Sequence, residues 1–163
     1  MLLTHQHYHT DTEDPLRLTS CRCECFRVYP SFSLEDIGQL TIFTGPNAVG
    51  KTSALEAIQL LTGLTSLRTS KISQTIQWDA SEAHLDAHIC NSLRCLDVSL
   101  RITEGQRTYY LNGKKKGKSS LVGLLPAVVF TPDDLQMVKG APSLRRKEID
   151  DLGSQISKNF YSV

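Results

Sequence analysis

Gly45-Pro46-Asn47-Ala48-Val49-Gly50-Lys51-Thr52 fits G-x-x-x-x-G-K-[ST] at every fixed position. The chemistry accounts for the spacing. Gly45 and Gly50 allow backbone angles that turn successive N–H groups toward one anion. A helix opening at about Lys51 adds its positive end to the same spot. Lys51 would reach the β- and γ-phosphates of a nucleotide, and the Thr52 hydroxyl would ligate magnesium. Local context supports this reading. Residues 39–44 include Leu40-Thr41-Ile42-Phe43, which predicts a buried strand just before the loop. Ala54, Leu55, Ile58 and Leu61 recur at three- and four-residue steps after it, predicting an amphipathic helix over 52–61 with Gly63 as its stop. The candidate nucleotide-binding residues are therefore Gly45, Pro46, Asn47, Ala48, Val49, Gly50, Lys51, Thr52 and Ser53. Thr52 is also the candidate metal ligand, and ATP and Mg2+ are the implied ligands. No residue is assigned a catalytic role.

Working outward toward the N-terminus, Leu16, Leu18, Cys21, Cys23, Cys25 and Val28 alternate as in an extended segment that continues through residues 29–34. Two antiparallel strands are expected around 16–34, with a break at Ile37-Gly38. Residues 1–14 read as a poorly ordered lead-in. His5, His7 and His9 lie in it, where a frayed polar terminus is a simpler reading than a weak metal site. On the other side, residues 64–80 are polar and predict a loop with a short helix. Trp78 is expected to pack in the core or at its rim. Leu96, Val98, Leu100 and Ile102 alternate as a half-buried strand. Glu104-Gly105 marks a turn, 107–111 a returning strand, and Asn112-Gly113 a turn that needs positive φ. Residues 119–125 predict a short helix and 127–130 another buried strand. Thr131-Pro132-Asp133-Asp134 carries the marks of a helix start. A last helix is expected over 143–159 with Ile149, Leu152, Ile156 and Phe160 on one face. The fold class is mixed α/β: one strand–loop–helix unit joined to antiparallel hairpins.

The chain has 163 residues, 40% of them hydrophobic, enough for one folded unit over 15–163. Its formal charge of +1 is no bulk signature of a nucleic-acid binder, so any such role rests on local patches. No apolar window approaches the length of a membrane span, and the start is not a signal peptide. A cytoplasmic location and no membrane contact are expected. All 5 cysteines are then expected as free thiols. The Cys21, Cys23, Cys25 run is open to a metal reading, but zinc sites space their ligands more widely and in pairs. Three small apolar fillers on one strand face account for it more simply.

Four stretches resemble the RecF family, bacterial recombination and gap-repair ATPases of the ABC/SMC-like class. They are Phe26-Arg27-Val28-Tyr29; the loop with Leu55-Glu56-Ala57-Ile58 behind it; Phe130-Thr131-Pro132-Asp133-Asp134-Leu135; and 138–146, where Val138-Lys139-Gly140-Ala141-Pro142 leads to Arg145-Arg146. The last two are more family-specific than the phosphate loop. The resemblance covers nearly all of 16–163. It implies lobe I of an ABC-type ATPase head, with an antiparallel β-subdomain on an α/β core. It implies DNA at single-strand/double-strand junctions, RecO- and RecR-type mediators, and ATP-dependent pairing of two heads as partners. It also makes Arg27 a candidate nucleotide contact, the alternative being an exposed strand residue.

Departures from the family pattern matter too. Val28 replaces an asparagine, and Leu67-Arg68-Thr69 stands where the family has His-Arg-Thr. The family's signature motif and the acid that completes its magnesium site lie downstream, and no apolar run here ends in paired acids. The chain is thus expected to be truncated, to bind nucleotide weakly and to hydrolyse it hardly at all, although an intact relative would be an ATPase. Competing readings are an SMC-like head of another role, a metabolic kinase, which the hairpin-rich middle opposes, and a truncated phosphate-loop module without activity. Two basic clusters are candidate DNA contacts: Lys114-Lys115-Lys116 with Lys118, and Arg145-Arg146-Lys147. For the first, a solvated hairpin tip is the usual explanation. The second opens a helix, where positive charge opposes the dipole.

Overall fold

The structure, a computed structural model, describes residues 14–66 and 68–131 together with Ser143, Arg146, Ile149, Asp150 and Gly153. Six strands form one antiparallel sheet: β1 (Arg17–Phe26), β2 (Tyr29–Leu34), β3 (Glu82–Cys90), β4 (Cys95–Thr103), β5 (Gln106–Leu111) and β6 (Lys114–Lys116), in the order β2-β1-β3-β4-β5-β6. Helix α1 (Lys51–Leu61) lies against β1, β3 and β4. Strand alternation explains the core. In β3, Ala83, Leu85, Ala87 and Ile89 are buried, while Asp86 and His88 on the opposite face are exposed. Val98, Leu100 and Ile102 of β4 point the same way, toward Ala57 and Leu60 of α1 and toward Phe26. One sheet face is therefore core and the other wet, the usual state of an antiparallel sheet.

The two N-terminal strands, the β4–β5 hairpin and the Asn112-Gly113 turn stand where the sequence places them. Asn112 and Gly113 have φ of 50° and 72°. The expected short helix in 64–80 is a single 3-10 turn at Ile72–Thr75. Strand β3 is carried by the alternation of Ala83, Leu85, Ala87 and Ile89. Its polar partners Glu82, His84, Asp86 and His88 mask the segment as a solvated stretch.

Several expectations are corrected. Residues 39–44 and 127–130 are not strands. Apolar β-prone residues supply propensity, but a strand exists through ladder bonds to a neighbour. Among the described residues neither segment joins a ladder, so Leu40 is 80% exposed and Phe130 83%. On α1 the buried face is Ser53, Ala54, Glu56, Ala57, Gln59, Leu60 and Leu61; Leu55, expected inside, is exposed. Trp78 is 93% exposed rather than packed in the core or at its rim, because it lies in the turn after the bridge between Phe26 and Ile76. The short helix expected over 119–125 is reduced to one 3-10 turn, Lys118–Ser120. Cys90 and Cys95 form a disulfide and are not free thiols, because β3 and β4 pair them directly across the ladder. Ser143, Arg146, Ile149, Asp150 and Gly153 are helical, in the span of the expected last helix. The lead-in before Asp14, with its histidines, and the helix start at 132–134 lie outside the described residues.

Candidate functional site

The glycine loop joins an extended approach to the first turn of α1. Gly45, Ala48 and Gly50 have φ of 142°, 65° and 107°, so three left-handed positions curl the backbone within six residues. Gly50 is the N-cap residue of α1 and offers no side-chain cap. The Ala54 N–H donates to the Gly50 carbonyl at 3.0 Å, the first helical bond. The N–H groups of the preceding turn have no intrahelical acceptor to meet. Lys51 folds back over the loop: its Nζ donates to the carbonyls of Gly45 at 2.8 Å and Pro46 at 2.6 Å. Asn47, Ala48, Val49 and Thr52 are exposed and Ser53 is buried.

The tip of the β1–β2 hairpin presses on the loop. A Cβ at Gly50 would lie 2.6 Å from Tyr29 Oη and 2.8 Å from Val28 Cγ2. A side chain there would have to push Tyr29 and Val28 aside, and the left-handed φ independently favours glycine. Tyr29 stacks on Phe32 with ring centroids 4.7 Å apart, which steadies the tip.

Arg27, in the same tip, faces inward. Its Nε donates to Glu56 Oε2 at 2.9 Å and its Nη2 to Glu56 Oε1 at 2.6 Å, while Nη1 donates to the Gln74 carbonyl at 2.8 Å. Glu56 is fully buried on α1 and also accepts from Ser66 Oγ. Sequence reasoning gave Glu56 no role. The only hint was an acid within the apolar helix face, and its partner, 29 residues earlier, is not readable from spacing. Ser66 in turn accepts from the N–H groups of Arg68 and Thr69.

Of the basic clusters, Lys114, Lys115 and Lys116 form edge strand β6 with every side chain exposed. Arg146 is helical and exposed. Arg145 and Lys147 lie outside the described residues. Cys21 and Cys23 point into the core from β1; burial and the nearby Glu35 push the Cys21 thiol up to about 11, and burial with the Cys21 sulfur pushes Cys23 up to about 12. They behave as apolar fillers. No helix of the described residues is long and apolar enough to cross a membrane.

Comparison with known proteins identifies the relationship. The chain is 36% identical over 138 residues to the DNA replication and repair protein RecF of Clostridium kluyveri, covering 83% of this chain and 38% of that protein. It is likewise 36% identical over 133 residues to the RecF of Listeria monocytogenes, covering 81% and 36%. A solved structure described as the recombination mediator protein RecF-ATPrS in the RecFOR pathway superposes with a TM-score of 0.83 at 30% identity, over 91% of this chain and 41% of that one.

The chain belongs to the RecF family.

It corresponds to an N-terminal portion of RecF, and spans under two fifths of the length of the curated relatives it matches. A second RecF structure, described with ATP, superposes at a TM-score of 0.82 and 28% identity, over 91% of this chain and 42% of that one. No protein-family model matches. The antiparallel sheet and α1 are thus part of an ABC-ATPase-type lobe, as the RecF resemblance implied.

Proposed function

We propose that this RecF-family chain is the ATP-binding part of a protein acting in DNA replication and recombinational repair. The observation that carries the reading is the loop at α1: three left-handed residues, a row of helix N-terminal N–H groups and one ammonium, Lys51, converge on the same small volume. That donor set suits a polyphosphate. Gly45 and Asn47 to Gly50 would wrap the phosphates with backbone N–H groups, while Pro46, which has none, shapes the turn. Lys51 exchanges its loop carbonyls for β- and γ-oxygens. Thr52, exposed at the first turn, supplies the hydroxyl for Mg2+, and Ser53 closes the donor row. When bound, the magnesium nucleotide supplies the phosphoanhydride chemistry of the family. Asn47, exposed in the loop, would reach toward the γ-phosphate.

Arg27, paired with Glu56 and the Gln74 carbonyl, supports the site by fixing the hairpin tip beside the loop. The chain acts with DNA at single-strand/double-strand junctions and with RecO- and RecR-type mediators in the cytoplasm, and a second head pairs with it when ATP is bound. The relatives' names support the DNA-repair and RecFOR part of this reading, and the family-like segments support the rest.

Titration of the chain with a fluorescent ATP analogue and Mg2+ tests the proposal. Lys51→Ala is expected to abolish binding, because the loop loses its one cationic side chain. Unchanged affinity in a folded Lys51→Ala variant overturns it. Turnover by the chain is expected to be no faster than that of the same variant.

A further inference from the structure

Away from the phosphate loop, metal-ligating side chains gather at the closed end of the β3–β4 hairpin. Cys90 and Cys95 face each other in register and are joined as a disulfide. His88 stands two residues before Cys90, on the same strand face. Its ring nitrogen and both sulfurs lie within 4.8 Å of one another. Asp97 faces His88 across the ladder, and its Oδ1 accepts the Nδ1 hydrogen at 2.6 Å. That bond holds the ring in place, as carboxylates do behind metal-binding histidines. A groove of about 290 Å3 opens beside His88 and Asp97, where Glu35 and Asp86 add two carboxylates against the single cation Arg22.

The loop at this hairpin is tied down independently of the disulfide. Asn91 Oδ1 accepts from the N–H groups of Leu93 and Arg94, and its Nδ2 donates to the Asp14 carbonyl. Asp14 Oδ2 accepts from the Ser92 N–H at 2.8 Å. The two cysteines therefore stay opposite each other when their bond is opened.

We propose that, once this disulfide is reduced, Cys90, Cys95 and His88 bind one thiophilic divalent cation of the zinc class. Two thiolates and one imidazole are a known zinc donor set, with water in the fourth position. Metal–sulfur bonds of about 2.3 Å place two ligating sulfurs roughly 3.8 Å apart, within reach of paired cross-strand cysteines. The reductant is a small thiol. Its thiolate attacks one sulfur, the S–S bond breaks, and the other cysteine leaves as thiolate and takes a proton. The attacked cysteine is now in a mixed disulfide; a second small thiolate attacks its outer sulfur, that S–S bond breaks, and the cysteine leaves as thiolate and takes a proton, so two electrons reach the protein and one small-molecule disulfide forms. Metal binding displaces both thiol protons to solvent. The hairpin end is thus cross-linked under both regimes, by sulfur when oxidised and by metal when reduced. Cys21 and Cys23 do not compete, because they are buried and hold their protons.

The test is zinc uptake by the 163-residue chain, kept anaerobic with a non-chelating phosphine reductant and titrated against a chromogenic chelator. Stoichiometric binding is expected in the reduced chain and not in the oxidised one. Cobalt substitution should give a thiolate-to-metal charge-transfer band, and bound zinc should protect Cys90 and Cys95 from alkylation. His88→Ala and Asp97→Asn, both at exposed positions, should each weaken zinc affinity by roughly 10- to 100-fold. Cys90→Ser with Cys95→Ser should abolish uptake. The proposal is overturned if the reduced chain takes up no zinc, if the double serine variant still binds it, or if His88→Ala binds as tightly as wild type.

Discussion

Arg27 and Glu56 meet in a two-point pair, Nε to Oε2 at 2.9 Å and Nη2 to Oε1 at 2.6 Å, that bolts the tip of the first hairpin to the phosphate-loop helix. The carboxylate is wholly buried and the guanidinium side chain only 16% exposed. An ion pair removed from water in this way adds little net stability over an apolar replacement, yet breaking it strands a charge. The pair therefore registers the hairpin against α1, and through Tyr29 and Gly50 it registers the hairpin against the loop.

Replacing Glu56 by glutamine should destabilise the chain by about 3 kcal/mol, because Arg27 then carries a poorly compensated charge in a nearly closed space. The double variant Arg27→Met with Glu56→Leu should lose clearly less than the sum of the single losses. Urea unfolding of the four proteins of this cycle measures the coupling. Additive losses would mean that the two side chains do not act as a pair.

Gly50→Ala strains the loop twice over. The new Cβ meets Tyr29 and Val28 at 2.6 to 2.8 Å, and the φ of 107° is unfavourable for any L side chain. A loss of about 1–3 kcal/mol in thermal unfolding is expected. Adding Tyr29→Ala should recover only part of it, since the backbone strain stays. Full recovery would assign the whole effect to the clash.

Stability should fall in alkali. The Cys21 and Cys23 thiols titrate at about 11 and about 12 in the folded chain, against an ordinary value of 9.0 when unfolded. Raised folded values mean that the native state binds more protons above pH 9, so the contribution is complete below that point and is lost as pH climbs toward 12. Cys21→Ala with Cys23→Ala should flatten the fall above pH 9 in denaturant unfolding, though it weakens the core at every pH. An unchanged slope would place the alkaline sensitivity elsewhere.

The two basic clusters differ in what charge reversal should do to duplex binding. Each lost phosphate contact lowers the log–log salt slope by roughly 0.9. Reversing Lys114, Lys115 and Lys116, all exposed on an edge strand that such charges protect from pairing, should leave the slope nearly unchanged. Reversing Arg145 and Arg146 should weaken binding to all sequences and flatten the slope together. Binding measured at several salt concentrations separates the two, and no change from either reversal would put the DNA surface elsewhere.

Local chemistry was legible in the chain alone. The glycine–lysine loop, the helix after it, the Asn112-Gly113 turn and the alternation of β4 are near-neighbour patterns, in which φ freedom and side-chain period act within a few residues. The family resemblance was legible for the same reason, in contiguous words of sequence. What depends on distant partners was not. Residues 39–44 and 127–130 have strand composition but no ladder among the described residues, since propensity does not provide a neighbour. Leu55 and Trp78 are apolar yet exposed, because burial is decided by what packs opposite a side chain. Glu56 pairs with Arg27, 29 residues earlier, because the helix packs against the first hairpin, a placement that no local pattern encodes. Cys90 and Cys95 lie close in sequence, but their pairing follows from the register of β3 on β4, and β3 is the strand that its polar residues hide.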